Sequence, residues 1–271
     1  MYETHWGLKS RPFDAAADAR FHYPADPQQA ALLKLRYVLE HRLGGAVLAG
    51  GSGLGKTLVA QNLVKQLDEQ FNPRLQIVFP DLPTDAFLGY IAGELTSSAE
   101  AAPSRDISLR CIEQTLTANA AEGRHAVIVI DESHLLRESP VLQALRLLMN
   151  LEHDGRPVLT LLFVAQPSLL TALDRFPELN DRLAARCLLR RFTLEETCGY
   201  LQHRLTAAGA TRVIFDDGAC TAIHTAALGI PRRINRLADM ALLVGYAEEY
   251  RKLSGQHIEA IADELTTVSP E

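Results

Sequence analysis

A chain of 271 residues, 47% hydrophobic and 22% charged, is long enough for one large domain or two modest ones around a sizeable core. No apolar run approaches the roughly 18 residues of a membrane span, and "MYETHWGLKSRPF" lacks the basic-then-apolar order of a secretion signal, so a cytoplasmic protein without membrane insertion is expected. A net charge of −6 argues against a surface coated for nucleic acid, although a local basic patch stays open, and the four cysteines contain no C-x-x-C pair that would suggest zinc or a disulfide framework.

The first chemistry-bearing stretch is "GGAVLAGGSGLGKTLVAQNL", residues 44–63. "AVLAG" reads as a short buried strand, and "KTLVAQNLVKQLDEQF" carries apolar residues at helical spacing. Between them, Gly50 followed by four residues and Gly55-Lys56-Thr57 fits the phosphate-binding pattern G-x-x-x-x-G-K-[ST]. Glycines let the backbone turn its N–H groups inward, and the helix N-terminus adds partial positive charge. The pattern therefore predicts nucleotide contacts from Gly50, Gly51, Ser52, Gly53, Leu54, Gly55, Lys56, Thr57 and Leu58. Lys56 would reach the outer phosphates and the Thr57 hydroxyl would ligate Mg²⁺, with ATP as the substrate. No G-x-G-x-x-G spacing fits these glycines, which excludes a dinucleotide fingerprint.

Further along, "RLQIVFP" (74–80) predicts a strand, and "TDAFLGYIAGEL" and "SLRCIEQTLTANAAEG" predict helices separated by "TSSAEAAPSRD" (96–106), the likeliest flexible stretch in composition. "RHAVIVIDESHLL" then places a continuous β-branched run before Asp131-Glu132, as a central parallel strand would, with both carboxylates at its carboxyl end. Asp131 is the expected Mg²⁺ partner and Glu132 the residue that polarises the attacking water. His134 completes a D-E-x-H pattern shared with helicases, but a two-lobed helicase does not fit this length, so a polar contact at the next helix start is expected. Ser139 and Pro140 mark that helix as its cap and first residue. "PVLTLLFVAQP" (157–167) predicts another buried strand, with Gln166 at its end as phosphate sensor or helix cap, and "CLLRRF" predicts a fifth. Alternation of strands and helices implies a parallel sheet covered on both faces.

From "TLEETCGYLQHRLTAAGA" onward only helices are predicted. Thr193 and Glu196 form a capping box, and three further helices fall at about 215–228, 231–250 and 254–266. "GIPRRIN" puts Arg232 and Arg233 in a helix's first turn, where cations oppose the helix dipole; a bound triphosphate would favour them, as would solvent for one and an acid for the other.

The order "GGSGLGKT", "VIVIDESH", "VAQPSL" and "GIPRRIN" resembles the AAA+ P-loop ATPases. The opening "MYETHWGLKSRPFDAAADARFHYPADPQQAALLKLRYVLE" and "LNDRLAARCLLRRFTLEETCGYLQHRLTAAG" are similar to the ExeA (GspA) type of general-secretion-pathway ATPase, and the core also resembles transposition ATPases of the TniB and MuB kind. The resemblance implies a three-layer αβα nucleotide domain over 1–192, with about five parallel strands, and a helical lid over 193–271. Within residues 1–42 it places Pro12, Phe13 and Tyr23 near the adenine, although these could equally be core. It makes Arg232 the second sensor, and Arg182 or Arg186 an arginine finger reaching a neighbouring subunit. It implies a homo-oligomer formed on ATP, an unidentified protein partner, and DNA as a further candidate. ExeA-type proteins continue into a membrane segment and a periplasmic domain, whereas the resemblance here stops near "TTVSPE"; a stand-alone relative and a truncated piece are both compatible with that. Three functions follow as expectations: an assembly or remodelling ATPase, a DNA-associated ATPase regulating transposition, and a nucleotide switch with little turnover.

Overall fold

A computed structural model describes residues 1–14, 19–21, 23–96, 104–136 and 139–267; most of the stretch expected to be flexible, and the last residues of the chain, lie outside the described set. In chain order the elements are α1 (Glu3–Trp6), α2 (Asp26–Glu40), β1 (Gly45–Gly50), α3 (Lys56–Lys65), β2 (Arg74–Ile77), α4 (Thr84–Thr96), α5 (Arg105–Ala121) and β3 (Ala126–Ile130). Then come α6 (Ser139–Leu148), β4 (Glu152–His153), β5 (Arg156–Pro157), β6 (Leu159–Ala165), α7 (Ser168–Leu173), α8 (Pro177–Asn180) and β7 (Leu183–Leu189). Four helices end the chain: α9 (Leu194–Ala207), α10 (Asp217–Ala227), α11 (Pro231–Ala247) and α12 (Gly255–Thr267). Among the described residues no helix is long and apolar enough to cross a membrane.

The chain divides into two compact units. One comprises Pro27–Ser52 and Lys56–Leu189. Its five-stranded sheet has the order β2-β3-β6-β1-β7, and every neighbouring pair is parallel. Every residue of β1, β3 and β6 is buried, which is why these segments read as unbroken apolar runs. The core gathers Val47, Ile128 and Phe163 from the strands with Phe87, Ile91, Ile112 and Leu145 from the helices. This is the parallel αβα architecture expected. Its details differ in three places.

Helix α3 stops at Lys65 rather than running to Phe71. There the Arg74 guanidinium collects carbonyls that a longer helix would have used, donating to Val64 O (3.2 Å), Leu67 O (2.8 Å), Asp68 O (2.7 Å) and Phe71 O (2.6 Å). Strand β7 begins at Leu183, earlier than "CLLRRF": as an edge strand it exposes alternate residues, and Arg186 on that face interrupts the apolar run that marks a buried strand. The segment after α6 forms a two-stranded β4–β5 hairpin, its turn made by Asp154 (φ 50°) and Gly155 (φ 69°).

The other unit comprises Met1–Asp26, Gly53–Gly55 and Arg190–Glu271. Met1–Asp26 groups with the helices, and not with the sheet as the 1–192 division had it. Burial explains the difference: Tyr2, Trp6, Phe13 and Phe21 share one core with Tyr200, Phe215, Ile234 and Leu242. Trp6 Nε1–H donates to Leu242 O at 2.9 Å, and buried Arg204 donates through Nε to Pro12 O and through Nη2 to Asp14 O at 3.0 Å. Helix α9 opens on the predicted capping box of Thr193 and Glu196, and α11 opens with Pro231 at its first position.

Candidate active site

Strand β1 delivers the chain to residues 51–55, and α3 begins at Lys56, so the strand–loop–helix order expected for a phosphate cradle is present. Gly53 (φ 78°) and Gly55 (φ 87°) occupy the left-handed region, which a side chain would strain. At Gly53 space is short as well: a Cβ there would lie 3.0 Å from both Ile230 Cγ2 and Arg232 Cβ, and the Arg232 N–H donates to Gly53 O at 3.2 Å. Lys56 is buried, and its ammonium donates to Gly51 O at 3.1 Å, folding the side chain back along the loop.

Strand β3 ends at Ile130, one residue before the acidic pair. Asp131 is buried, with its N–H bonded to Ile77 O of β2 at 2.8 Å. Its two carboxylate oxygens have different partners. Oδ2 accepts from the Thr57 hydroxyl at 2.8 Å, and Oδ1 accepts from the Glu132 N–H at 2.8 Å. The hydroxyl in the first turn of α3 and the carboxylate just beyond β3, 74 positions apart, are thus in direct contact. Glu132 itself has φ 49°, a conformation that costs a non-glycine residue about 1–2 kcal/mol. His134 Nδ1 lies 3.3 Å from Glu132 Oε2 without hydrogen-bond geometry, so its nearest polar neighbour is the acidic residue itself. The adjacent Ser133 is a buried residue that sequence reasoning did not single out; its hydroxyl donates to Val164 O of β6 at 3.0 Å.

Gln166 follows β6 directly, and β6 lies between β3 and β1, so the residue leaves the sheet between the strand of the acidic pair and the strand of the loop. The oxygen donor set fits Mg²⁺, which takes one or two carboxylates and completes its shell from phosphates and water. A hydroxyl and a carboxylate in mutual contact at Thr57 and Asp131 are that set. Among the described residues no group of three or more His, Cys, Asp and Glu is placed to hold a metal.

The remaining expected residues are distributed elsewhere. Arg182 is exposed just before β7; a Cβ at Gly44 would lie 3.0 Å from Arg182 O, which sets it beside the start of β1. Among the described residues its guanidinium has no hydrogen-bond or ion-pair partner. Arg186 stands within β7 opposite Val47, paired with Asp174 at 3.7 Å. Phe13 is a core residue whose ring lies 6.2 Å from Phe215, and Pro12 is held by Arg204. Tyr23 is half-buried against Phe192 and Tyr200, and burial together with the carboxylates of Glu196 and Asp26 holds its hydroxyl above the usual phenol range. Arg232 and Arg233 are both exposed in the first turn of α11.

Parallel order β2-β3-β6-β1-β7, a glycine loop after β1 and an acidic pair after β3 define an AAA+ P-loop fold, and residues 40–173 match the AAA domain family. Residues 40–173 thus carry an AAA domain, and the chain has the AAA+ P-loop fold. It is 31% identical to the General secretion pathway protein A of Aeromonas hydrophila over 274 residues, taking in 100% of this chain and 50% of that protein. The chain thus spans about half the length of that relative. Solved structures share the fold at low identity. The Cdc6p protein of Pyrobaculum aerophilum superposes with a TM-score of 0.71 at 17% identity, over 96% of this chain and 74% of that one. The ORC2 protein of Aeropyrum pernix, solved in ADPNP–ADP complexes, gives 0.70 at 16% identity, over 94% and 72%.

Proposed function

We propose that the protein binds ATP at residues 50–58, hydrolyses it with Mg²⁺ at Asp131 and Glu132, and uses the cycle to assemble or remodel a partner complex. The Thr57–Asp131 contact at 2.8 Å carries this reading, because it supports one site built from the glycine loop and the acidic strand end. The loop N–H groups and the start of α3 bind and orient the triphosphate. Lys56 swings from Gly51 O to the outer phosphates and stabilises charge there during transfer. Magnesium, held by Thr57 and Asp131, would supply neutralisation of the phosphate oxygens. Glu132 accepts hydrogen bonding from the attacking water and polarises it, with Gln166 beside the same strand ends as the candidate phosphate sensor.

Arg232 is the candidate lid sensor, since its amide already binds the tip of the glycine loop. For the arginine finger the geometry favours Arg182 over Arg186. Arg186 stands on the exposed face of the edge strand beside Asp174, whereas Arg182 lies at the amino end of β1. A six-residue strand separates that end from the loop by about 20 Å, too far for action within one subunit but suited to a neighbour's nucleotide. Hydrolysis then depends on a homo-oligomer. The named secretion relative suggests a cytoplasmic post beside an export machinery, with a protein partner.

Lys56→Ala is expected to abolish ATP binding by calorimetry, and Glu132→Gln to bind Mg-ATP with turnover reduced at least about 100-fold. Wild-type turnover in Glu132→Gln would remove the water-polarising role. Turnover measured with and without duplex DNA at low salt separates this reading from a DNA-associated one, which requires stimulation.

A further inference from the structure

Two of the four cysteines meet in the helical unit. Cys198 lies in the first half of α9 and Cys220 in the first turn of α10, both half-buried. They line one cavity of about 480 Å³ with Gln202, Leu205, Phe215 and Asp217, on helices that pack directly against each other. The scaffold holds them there. Thr197 Oγ1, one residue before Cys198, is 2.9 Å from His224 Nδ1, one helical turn after Cys220. The other two cysteines differ: Cys187 is buried in β7 with a weak contact to Ala31 O at 3.9 Å, and Cys111 lies on α5.

We propose that Cys198 and Cys220 form a dithiol that closes to an intramolecular disulfide when the protein meets a small-molecule disulfide such as oxidised glutathione, tying α9 to α10. The cavity supplies the access that a thiol pair buried only for packing would lack. Cys198, as thiolate, attacks one sulfur of oxidised glutathione; the glutathione S–S bond breaks and one glutathione leaves as thiolate. Cys220 Sγ then attacks Cys198 Sγ in the mixed disulfide, loses its proton to solvent, and displaces the second glutathione. Two protein thiols are oxidised to one disulfide and one glutathione disulfide is reduced to two thiols. Burial, the Cys198 sulfur and the Asp217 and Asp216 carboxylates push the Cys220 thiol up to about 12, which makes it the poor first nucleophile and assigns it the second step. The pair takes no part in the nucleotide chemistry, so the inference stands apart from it.

The test equilibrates the native chain in buffers of stepped reduced-to-oxidised glutathione ratio, quenches with acid, alkylates the free thiols and maps the peptides. The expected result is a single Cys198–Cys220 cross-link with Cys111 and Cys187 still alkylated, reversal by dithiothreitol, and a melting temperature raised by several degrees in the oxidised form. Cys220→Ser, with a native far-ultraviolet spectrum, should instead hold one glutathione on Cys198. The proposal is overturned if Cys198 and Cys220 stay fully alkylatable at every ratio. It is equally overturned if each takes up glutathione separately, or if the cross-link forms only in urea.

Discussion

His125 is fully buried just before β3, and its environment dictates one protonation state. The Thr160 hydroxyl donates to Leu43 O at 2.8 Å, so its oxygen accepts from His125 Nε2–H at 2.9 Å and the ring is the neutral Nε2–H form. Burial, followed by the nearby Arg42 charge, pushes the imidazole down to about 4. An unfolded chain protonates this ring near its ordinary 6.5, so between about pH 6.5 and 4 the unfolded state binds the extra proton. The stabilisation is therefore complete above pH 6.5 and is lost as the pH falls through 4. A gap of that size at about 1.4 kcal/mol per unit corresponds to about 3 kcal/mol. The measurement is urea unfolding of wild type and His125→Asn at several values between pH 7.5 and 4. Other titrating groups are common to both proteins and cancel in the difference. The advantage of wild type over the variant should shrink by about 3 kcal/mol across that range. Parallel pH curves would show that His125 is not held neutral, and the reasoning would fail.

Three further outcomes are expected. Trp6 is the only tryptophan, and a Cβ at Gly245 would approach its Cζ2 to 2.7 Å, so Gly245→Ala should loosen the ring and shift its emission to longer wavelength; unchanged emission would contradict that packing. Glu132→Gly relieves a left-handed backbone and should raise stability by about 1 kcal/mol in denaturant unfolding while eliminating turnover, separating strain from chemistry. Gly229→Ala places a Cβ 2.3 Å from Phe192 O at a φ of 66°, and should cost at least about 2 kcal/mol, read as a lower melting temperature.

What was legible in the sequence was whatever is written contiguously. The glycine loop is a main-chain device whose spacing is local, and β1, β3 and β6 announce themselves because both faces are buried. The Thr57–Asp131 contact has no such signal; it depends on the strand order and register that set β1 one strand away from β3. The docking of Met1–Asp26 was equally hidden, since Trp6 needs Leu242 and Pro12 needs Arg204, partners about 200 positions away. Asp154-Gly155 carries a hairpin signature, but the adjoining strands are only two residues each, too short for any alternation to show in the sequence. Arg182 and Arg186 looked equivalent by spacing. Only the Asp174 pairing and the neighbourhood of Gly44 tell them apart.

The two margins of the sheet have a consequence for how copies of this protein can meet. β2 is four residues long, and β7 carries Arg186 in its middle with every second side chain turned to solvent. Short length and a charged side chain on the margin are devices that stop a foreign strand from zippering on. Contact between copies is thereby steered to side-chain surfaces, where it can be made and broken, and away from a shared backbone ladder that would grow without limit.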